Sequence, residues 1–285
     1  MDDNKTPLAP VTLRSGIEMP ALGFGTWHLG ENRANRQSEA AALLHAIDVG
    51  FTHFDTAEMY GEGATERLLG EVIHQRTRDR LFLTSKVYPW NADGTRMVEA
   101  CDASLKRLQT DYLDLYLLHW PGGVPFEKTL EGAEALLTAG KIRAFGVSNF
   151  DALELQSMAA AGLVGRIDVN QVMYNPARRG IEFDLLPALQ ANSIACVAYT
   201  PLEPHRIDRS SGFKAIASEA GLSPAQLALA WHMTHGAAVP IPKASRIDHV
   251  DALLTASSIR LSTDQLDAID TAFPPPRSAQ PLDII

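Results

Sequence analysis

Four residues able to move or steer a proton sit at, or in the loop just beyond, the points where apolar runs of this chain stop. Asp55 ends Phe51-Thr-His-Phe-Asp55, Lys86 ends Leu81-Phe-Leu-Thr-Ser-Lys86, and His119 follows Tyr112-Leu-Asp-Leu-Tyr-Leu-Leu118. Tyr60 lies in the loop beyond Asp55, beside Gly61 and Gly63. Together they suit carbonyl reduction. Hydride delivered to a carbonyl carbon creates an alkoxide, so a proton must arrive with it. An unperturbed phenol, with pKa ~10, is a reluctant acid, and a neighbouring ammonium lowers that value. Lys86 can supply the ammonium, Asp55 can hold it, and His119 can donate a hydrogen bond to the carbonyl oxygen. A lysine directly after Leu-Phe-Leu-Thr-Ser would be nearly buried and needs an acid partner. Taken singly, each group also has an ordinary structural use: the aspartate as a cap, the tyrosine and histidine as rim packing.

These groups can meet only if the runs that carry them are neighbouring strands opening at one rim. Two short apolar runs around Arg14-Ser-Gly16 read as a hairpin. Strands are then expected at 21–26, 52–55, 81–87, 112–118, 142–147, 167–170, 194–199 and 238–241. Helices are expected at 38–50, 64–75, 95–108, 126–139, 151–161, 182–191, 212–220, 223–235, 247–255 and 263–271. Eight strand–helix repeats imply right-handed crossovers and a parallel sheet, and eight selects a closed barrel, which typically needs about 250 residues. The expected fold class is therefore α/β: a (β/α)8 TIM barrel with an N-terminal β-hairpin and additional C-terminal helices, as a single domain over 1–285. The rival is an open doubly wound sheet. It would carry a glycine fingerprint after its first strand, and Gly23-Phe-Gly25-Thr-Trp-His28 lacks the third glycine. Barrel active sites lie at the C-terminal ends of the strands. Asp55, Lys86, His119, Ser148-Asn149, Asn170-Gln171, Tyr199-Thr200 and Lys243 all fall there.

Composition narrows the class further. The 285 residues are 46% hydrophobic and 21% charged, with a formal charge of −9. That balance argues against nucleic-acid and anionic-membrane partners. Two cysteines, Cys101 and Cys196, imply no disulfide framework and fit a reducing compartment. Met1-Asp-Asp-Asn-Lys5 has neither the basic nor the apolar region of a signal peptide, and no run approaches a membrane helix. A cytoplasmic monomer acting on a small molecule is the expectation. His232-Met-Thr-His235 lacks a third ligand, so no metal is expected. Lys243-Ala-Ser-Arg-Ile-Asp-His249 places cations at a helix start, which makes an anion site. Trp27, Trp90 and Trp120 follow the first, third and fourth strands and can wall a small carbonyl pocket that must exclude water.

In order along the chain, Gly23-Phe-Gly-Thr-Trp27, Phe54-Asp-Thr-Ala-Glu-Met-Tyr-Gly61, Ser85-Lys-Val87, Asp111 to Pro121, Gly146-Val-Ser-Asn149, Asn170-Gln171 and Ile241-Pro-Lys243 resemble the pattern of the aldo-keto reductase family. The Lys86-Val-Tyr-Pro-Trp-Asn91 and Arg179 to Pro187 runs look most like its bacterial, short-tailed methylglyoxal reductase-type members. The resemblance implies NADPH-dependent carbonyl reduction by the tetrad Asp55, Tyr60, Lys86 and His119, with Tyr60 as proton donor. It implies further that Gly25, Thr26, Trp27 and Asp55 adjoin the cofactor, and that Ser148, Asn149 and Gln171 bind the nicotinamide carboxamide. Tyr199 would stack on the ring, and Thr200, Pro201 and Leu202 would begin the loop along the pyrophosphate. Lys243, Ser245, Arg246 and His249 would hold the 2′-phosphate. The chain departs from the family pattern at Ala244, His249 and Leu253, where serine, arginine and asparagine are frequent. NADH is therefore the alternative cofactor. Trp27, Tyr60, Trp90, His119 and Trp120 would face the substrate. The tail from Phe273 is short, which implies an open, tolerant pocket. Two other readings remain: a cofactor-sensing regulatory barrel, and an NADH-linked alcohol or sugar dehydrogenase.

Overall fold

The computed structural model describes residues 9–285 except 75 and 77. The acidic start Met1–Lys5 and the last residue expected of the 64–75 helix lie outside the described residues. Strands β1 (Val11–Thr12) and β2 (Glu18–Met19) form the antiparallel hairpin, with Gly16 at φ +82° in the turn. Eight strands then run in sequence order, each parallel to the next: β3 (Gly23–Gly25), β4 (His53–Asp55), β5 (Phe82–Val87), β6 (Leu113–Leu118), β7 (Ile142–Ser148), β8 (Val169–Met173), β9 (Ala195–Tyr199) and β10 (Val239–Pro240). Helices α1 (Arg36–Asp48), α2 (Ala64–Ile73), α3 (Gly94–Leu108), α4 (Phe126–Thr138), α5 (Ala152–Ala160), α6 (Leu185–Ala191) and α7 (Pro204–Ile207) follow in turn. The last four, α8 (Ser211–Glu219), α9 (Pro224–His235), α10 (Ile247–Ser257) and α11 (Thr263–Ala272), bracket β10 and complete the ring. This is the (β/α)8 barrel with its hairpin and extra C-terminal helices.

The first and last strands meet at a seam. The Gly25 N–H donates to the Pro242 carbonyl at 2.9 Å. A Cβ on Gly25 would lie 2.7 Å from the Ile241 carbonyl oxygen, and one on Gly23 would lie 2.6 Å from the Ile241 side chain. Bare glycine backbone therefore lets the two strands approach closely enough to close the barrel.

Two apolar layers hold this frame. The larger fills the space between strands and helices, with Phe24, Phe54, Tyr116, Phe145 and Trp231 among its members. The smaller fills the barrel interior: Phe82, Leu115, Leu117, Val169, Val197 and Val239 pack with Leu13 and Met19 of the hairpin, which thereby plugs the closed end. Both layers draw from the whole length of the described chain. Each fully buried side chain of this size is worth about 1.5–3 kcal/mol.

Besides the shorter β3 and β10, three details differ from the expectation. β8 runs on to Met173, so Gln171 lies inside the strand and faces the barrel. A single turn of helix, α7, closes the loop after β9, because Pro204 sits at its first position. α6 begins only at Leu185, after a short 3-10 turn at Gly180–Glu182.

Candidate active site

Alternation along the strands explains which side chains gather. Asp55 pairs in register with Thr84 of β5, and Lys86 lies two residues further on, on the same inward face. The Lys86 ammonium reaches back and donates to Asp55 Oδ1 at 2.5 Å, to the Thr56 carbonyl at 2.9 Å and to the Tyr60 hydroxyl at 3.0 Å. All three ammonium hydrogens are therefore engaged. Gln171 Nε2 donates to the other Asp55 oxygen at 2.8 Å. Both Asp55 and Lys86 are buried. A fully desolvated charge pair survives only when every donor and acceptor is met, as here.

Tyr60 is half-buried, and its ring meets the His119 ring edge-on at 5.9 Å between centroids. The structure thus brings Asp55, Tyr60, Lys86 and His119 together around one point at the open end of the barrel. Burial pushes the Tyr60 phenol above its ordinary pKa, against the pull of Lys86 and with a further push from Asp55. The sequence-based expectation of a net lowering is corrected: desolvation outweighs the ammonium, so the phenol stays protonated at neutral pH. For Lys86, burial works against the charge, but Asp55 and then Tyr60 reverse it and the value is raised. Burial and then Lys86 push His119 down to about 2, so its imidazole is neutral. His119 Nδ1 is enclosed without a hydrogen-bond partner. With the proton on Nε2, the ring offers one donor to the pocket.

A second cluster lies beside the tetrad. Ser148 Oγ donates to the Gln171 carbonyl at 2.8 Å. Asn149, at φ +61°, donates to the His119 carbonyl at 3.1 Å and accepts from the Tyr199 hydroxyl at 2.8 Å. Asparagine is among the few residues that adopt this left-handed backbone at modest cost. Thr200 is also left-handed, at φ +51°, and turns the chain after β9; Pro201 is buried and Leu202 packs on the core.

Other expected cofactor residues are differently engaged. Gly25 serves the seam, and Thr26 is buried with its hydroxyl donated to the Asp55 carbonyl at 2.8 Å. Arg246 folds onto Asp248, at 2.9 and 2.7 Å, rather than standing free. Lys243 and His249 are exposed and Ser245 is half-buried. The start of α10 has no side-chain cap, so its first N–H groups point outward. Leu253 is buried in the core.

Aromatic rings line the mouth. Trp27 and Trp90 are exposed and Trp120 half-buried. Tyr88, not anticipated from the sequence, stacks on Trp90 at 4.3 Å, and Trp120 meets both edge-on. Glu58, also unanticipated, accepts from the Tyr88 N–H at 2.7 Å and ties this loop to that of Tyr60. No apolar periodicity marks either residue. The tail from Phe273 returns to the barrel. Arg178 pairs with Asp283 of the tail and with Glu203, and the Ile285 backbone lies beside the Tyr199 hydroxyl. Arg178, after β8, holds the tail to the barrel through Asp283. His232, expected to lie far from the strand ends, is instead buried against Tyr174 and Trp231, beside the backbone just past β8 and β9.

The aldo/keto reductase family model matches residues 21–273. The methylglyoxal reductase YeaE of Escherichia coli is 42% identical over 94% of this chain and 96% of its own length. The glyoxal reductase of Bacillus subtilis is 34% identical over 91% of each chain. An aldo/keto reductase from Klebsiella pneumoniae, solved with NADP and acetate, superposes with a TM-score of 0.92 at 43% identity, over 97% of this chain and 99% of that one.

Proposed function

The chain belongs to the aldo/keto reductase family, and on that premise we propose that it reduces aldehydes, ketones and methylglyoxal-like dicarbonyls to alcohols with NADPH. The observation that carries this reading is the Lys86 ammonium, held 2.5 Å from Asp55 and 3.0 Å from the Tyr60 hydroxyl at the open end of the barrel.

The residues present fit a nicotinamide cofactor. Ser148, Asn149 and Gln171 converge beside Tyr199, and the uncapped start of α10 lies near Lys243, Ser245 and His249. The first group would hold the carboxamide and ring, and the second the 2′-phosphate. The exposed Arg246–Asp248 pair is worth little in water, so Arg246 can exchange it for a phosphate. NADPH, when bound, supplies the hydride. Tyr60 supplies the proton from its hydroxyl to the carbonyl oxygen as negative charge develops there. The phenolate left behind lies against the Lys86 ammonium, which Asp55 and the Thr56 carbonyl hold in place. His119, neutral, donates from Nε2 to the same oxygen and sets the carbonyl's orientation. Trp27, Trp90 and Trp120 exclude water and give a flat apolar wall.

Methylglyoxal, glyoxal and a nitrobenzaldehyde, each tested with NADPH and with NADH, provide the test. Consumption of NADPH at saturating carbonyl is expected, with NADH markedly poorer. No turnover with any of the three would reject the reading. Equal rates with both cofactors would reject the phosphate-site assignment alone.

A further inference from the structure

Outside the catalytic cluster, one buried polar group joins the two segments that must be aligned for it to work. Glu66, in the first turn of α2, is fully buried. Its carboxylate accepts from Ser85 Oγ at 2.6 Å and from Arg107 Nε at 2.5 Å. Arg107, at the end of α3, also donates to Ser104 Oγ at 3.0 Å. Ser85 immediately precedes Lys86, and successive strand residues face opposite sides. Lys86 therefore points into the barrel at Asp55, while Ser85 points out beneath α2.

The other end of this link is the Tyr60 loop. The Tyr60 carbonyl accepts from the Thr65 N–H at 3.3 Å, and Thr65 is the second residue of α2. Gly63, at φ +77°, caps the helix without a side chain, and Arg107 lies across it: a Cβ there would sit 2.5 Å from Arg107 Cδ. The start of α2 is thus clamped from both sides. A charge buried this deeply costs free energy unless it is fully paired, and a neutral apolar contact would stabilise the interface as well. A need for precise alignment is a physical reason for having it here.

We propose that Glu66, braced by Arg107, is a positioning residue that sets the distance between the Lys86 ammonium and the Tyr60 hydroxyl, by gripping strand β5 through Ser85 and the Tyr60 loop through α2. It touches no reacting atom and acts through the other two residues. The proposal rests on the reading of Tyr60 as proton donor only for its effect on rate; its effect on geometry stands separately. The charged and titratable groups facing the Tyr60 phenol are Lys86 from β5, Asp55 from β4, His119 from the loop after β6 and Tyr199 from β9.

Glu66→Ala would strand Arg107 and endanger folding, so the test is made from the strand side. Ser85→Ala keeps the Glu66–Arg107 pair and removes the grip on β5. In its crystal structure the Nζ-to-hydroxyl separation should exceed hydrogen-bonding reach, about 3.5 Å. The Tyr60 phenolate, read by ultraviolet difference absorbance against Tyr60→Phe, should appear at higher pH than in the wild type. With methylglyoxal and NADPH, kcat should fall roughly tenfold to a hundredfold, the scale on which small misplacements act, while the KM for NADPH stays within about twofold. Ser85→Thr should restore all of these. Wild-type separation and phenolate titration in Ser85→Ala would overturn the proposal, even if the melting temperature fell. If Tyr60→Phe itself kept full activity, the proton-donor reading would fail, and the separation and titration would still decide the positioning role.

Discussion

At the scale of single residues, the site depends on a phenol that desolvation keeps protonated and a lysine that makes its loss of a proton tolerable. Tyr60→Phe removes the acid and leaves the packing. Turnover should fall by about 10²–10⁴, the usual contribution of a general acid, with NADPH binding, followed by fluorescence quenching, unchanged. Retained turnover would exclude Tyr60 as donor. The sign of the Tyr60 shift also predicts a pH profile. Its pKa is raised, so the acid form persists through neutrality, and the reduction rate should hold up to about pH 10 and fall only beyond. A decline beginning near pH 7 would contradict the shift. Asp55, Lys86 and His119 were legible in the sequence because each ends an apolar run, and Tyr60 because it lies in the loop just beyond Asp55, within a stretch that resembles the family pattern. Glu58, Glu66, Tyr88 and Arg107 were not: their partners are distant in the chain, and neither spacing nor burial pattern announces them. Gln171 was legible as polar but misread in register, since β8 continues past Asn170 and turns its amide toward Asp55.

At the scale of elements, the barrel was readable because its units repeat: every expected strand is present, with ends displaced by a few residues. The short strands β3 and β10 were over-extended, because apolar residues flank their paired segments: Ala21 and Leu22 before β3, and Ala238 and Ile241 around β10. The seam between them depends on missing side chains, which hydrophobic patterning cannot register. Gly25→Ala places a Cβ 2.7 Å from a backbone oxygen that has no rotamer to escape into. A destabilisation of about 1–3 kcal/mol, typical of overpacking, should appear in urea or thermal unfolding. Unchanged stability would mean that the seam is looser than its geometry indicates.

At the scale of the whole molecule, three buried imidazoles set a pH dependence. Burial pushes His53 down to about 4, His232 to about 3 and His119 to about 2. Their folded values lie below the unfolded value near 6.5, so above that pH both states are neutral and nothing is lost. Below it the unfolded chain takes up protons that the folded protein refuses, and stability drops. Each histidine contributes about 1.4 kcal/mol per pH unit. Together they give a slope of roughly 4 kcal/mol per unit between pH ~6 and pH ~4. Chemical denaturation across that range tests the sign: stability rising on acidification would refute it. The sequence shows where histidines are, but which of them are walled off from water is a property of the assembled barrel.

One consequence of the seam concerns how ligand and scaffold speak to each other. The stave carrying Lys243 to His249 is a two-residue strand joined to β3 by the Gly25–Pro242 bond. A cofactor reaching from Thr26 and Trp27, just beyond β3, to that stave would act as a clasp across this joint of the hoop. Deuterium uptake at the Val239 and Ile241 amides should therefore slow sharply on adding NADPH, while the hairpin at the closed end, β1 and β2, stays as it was.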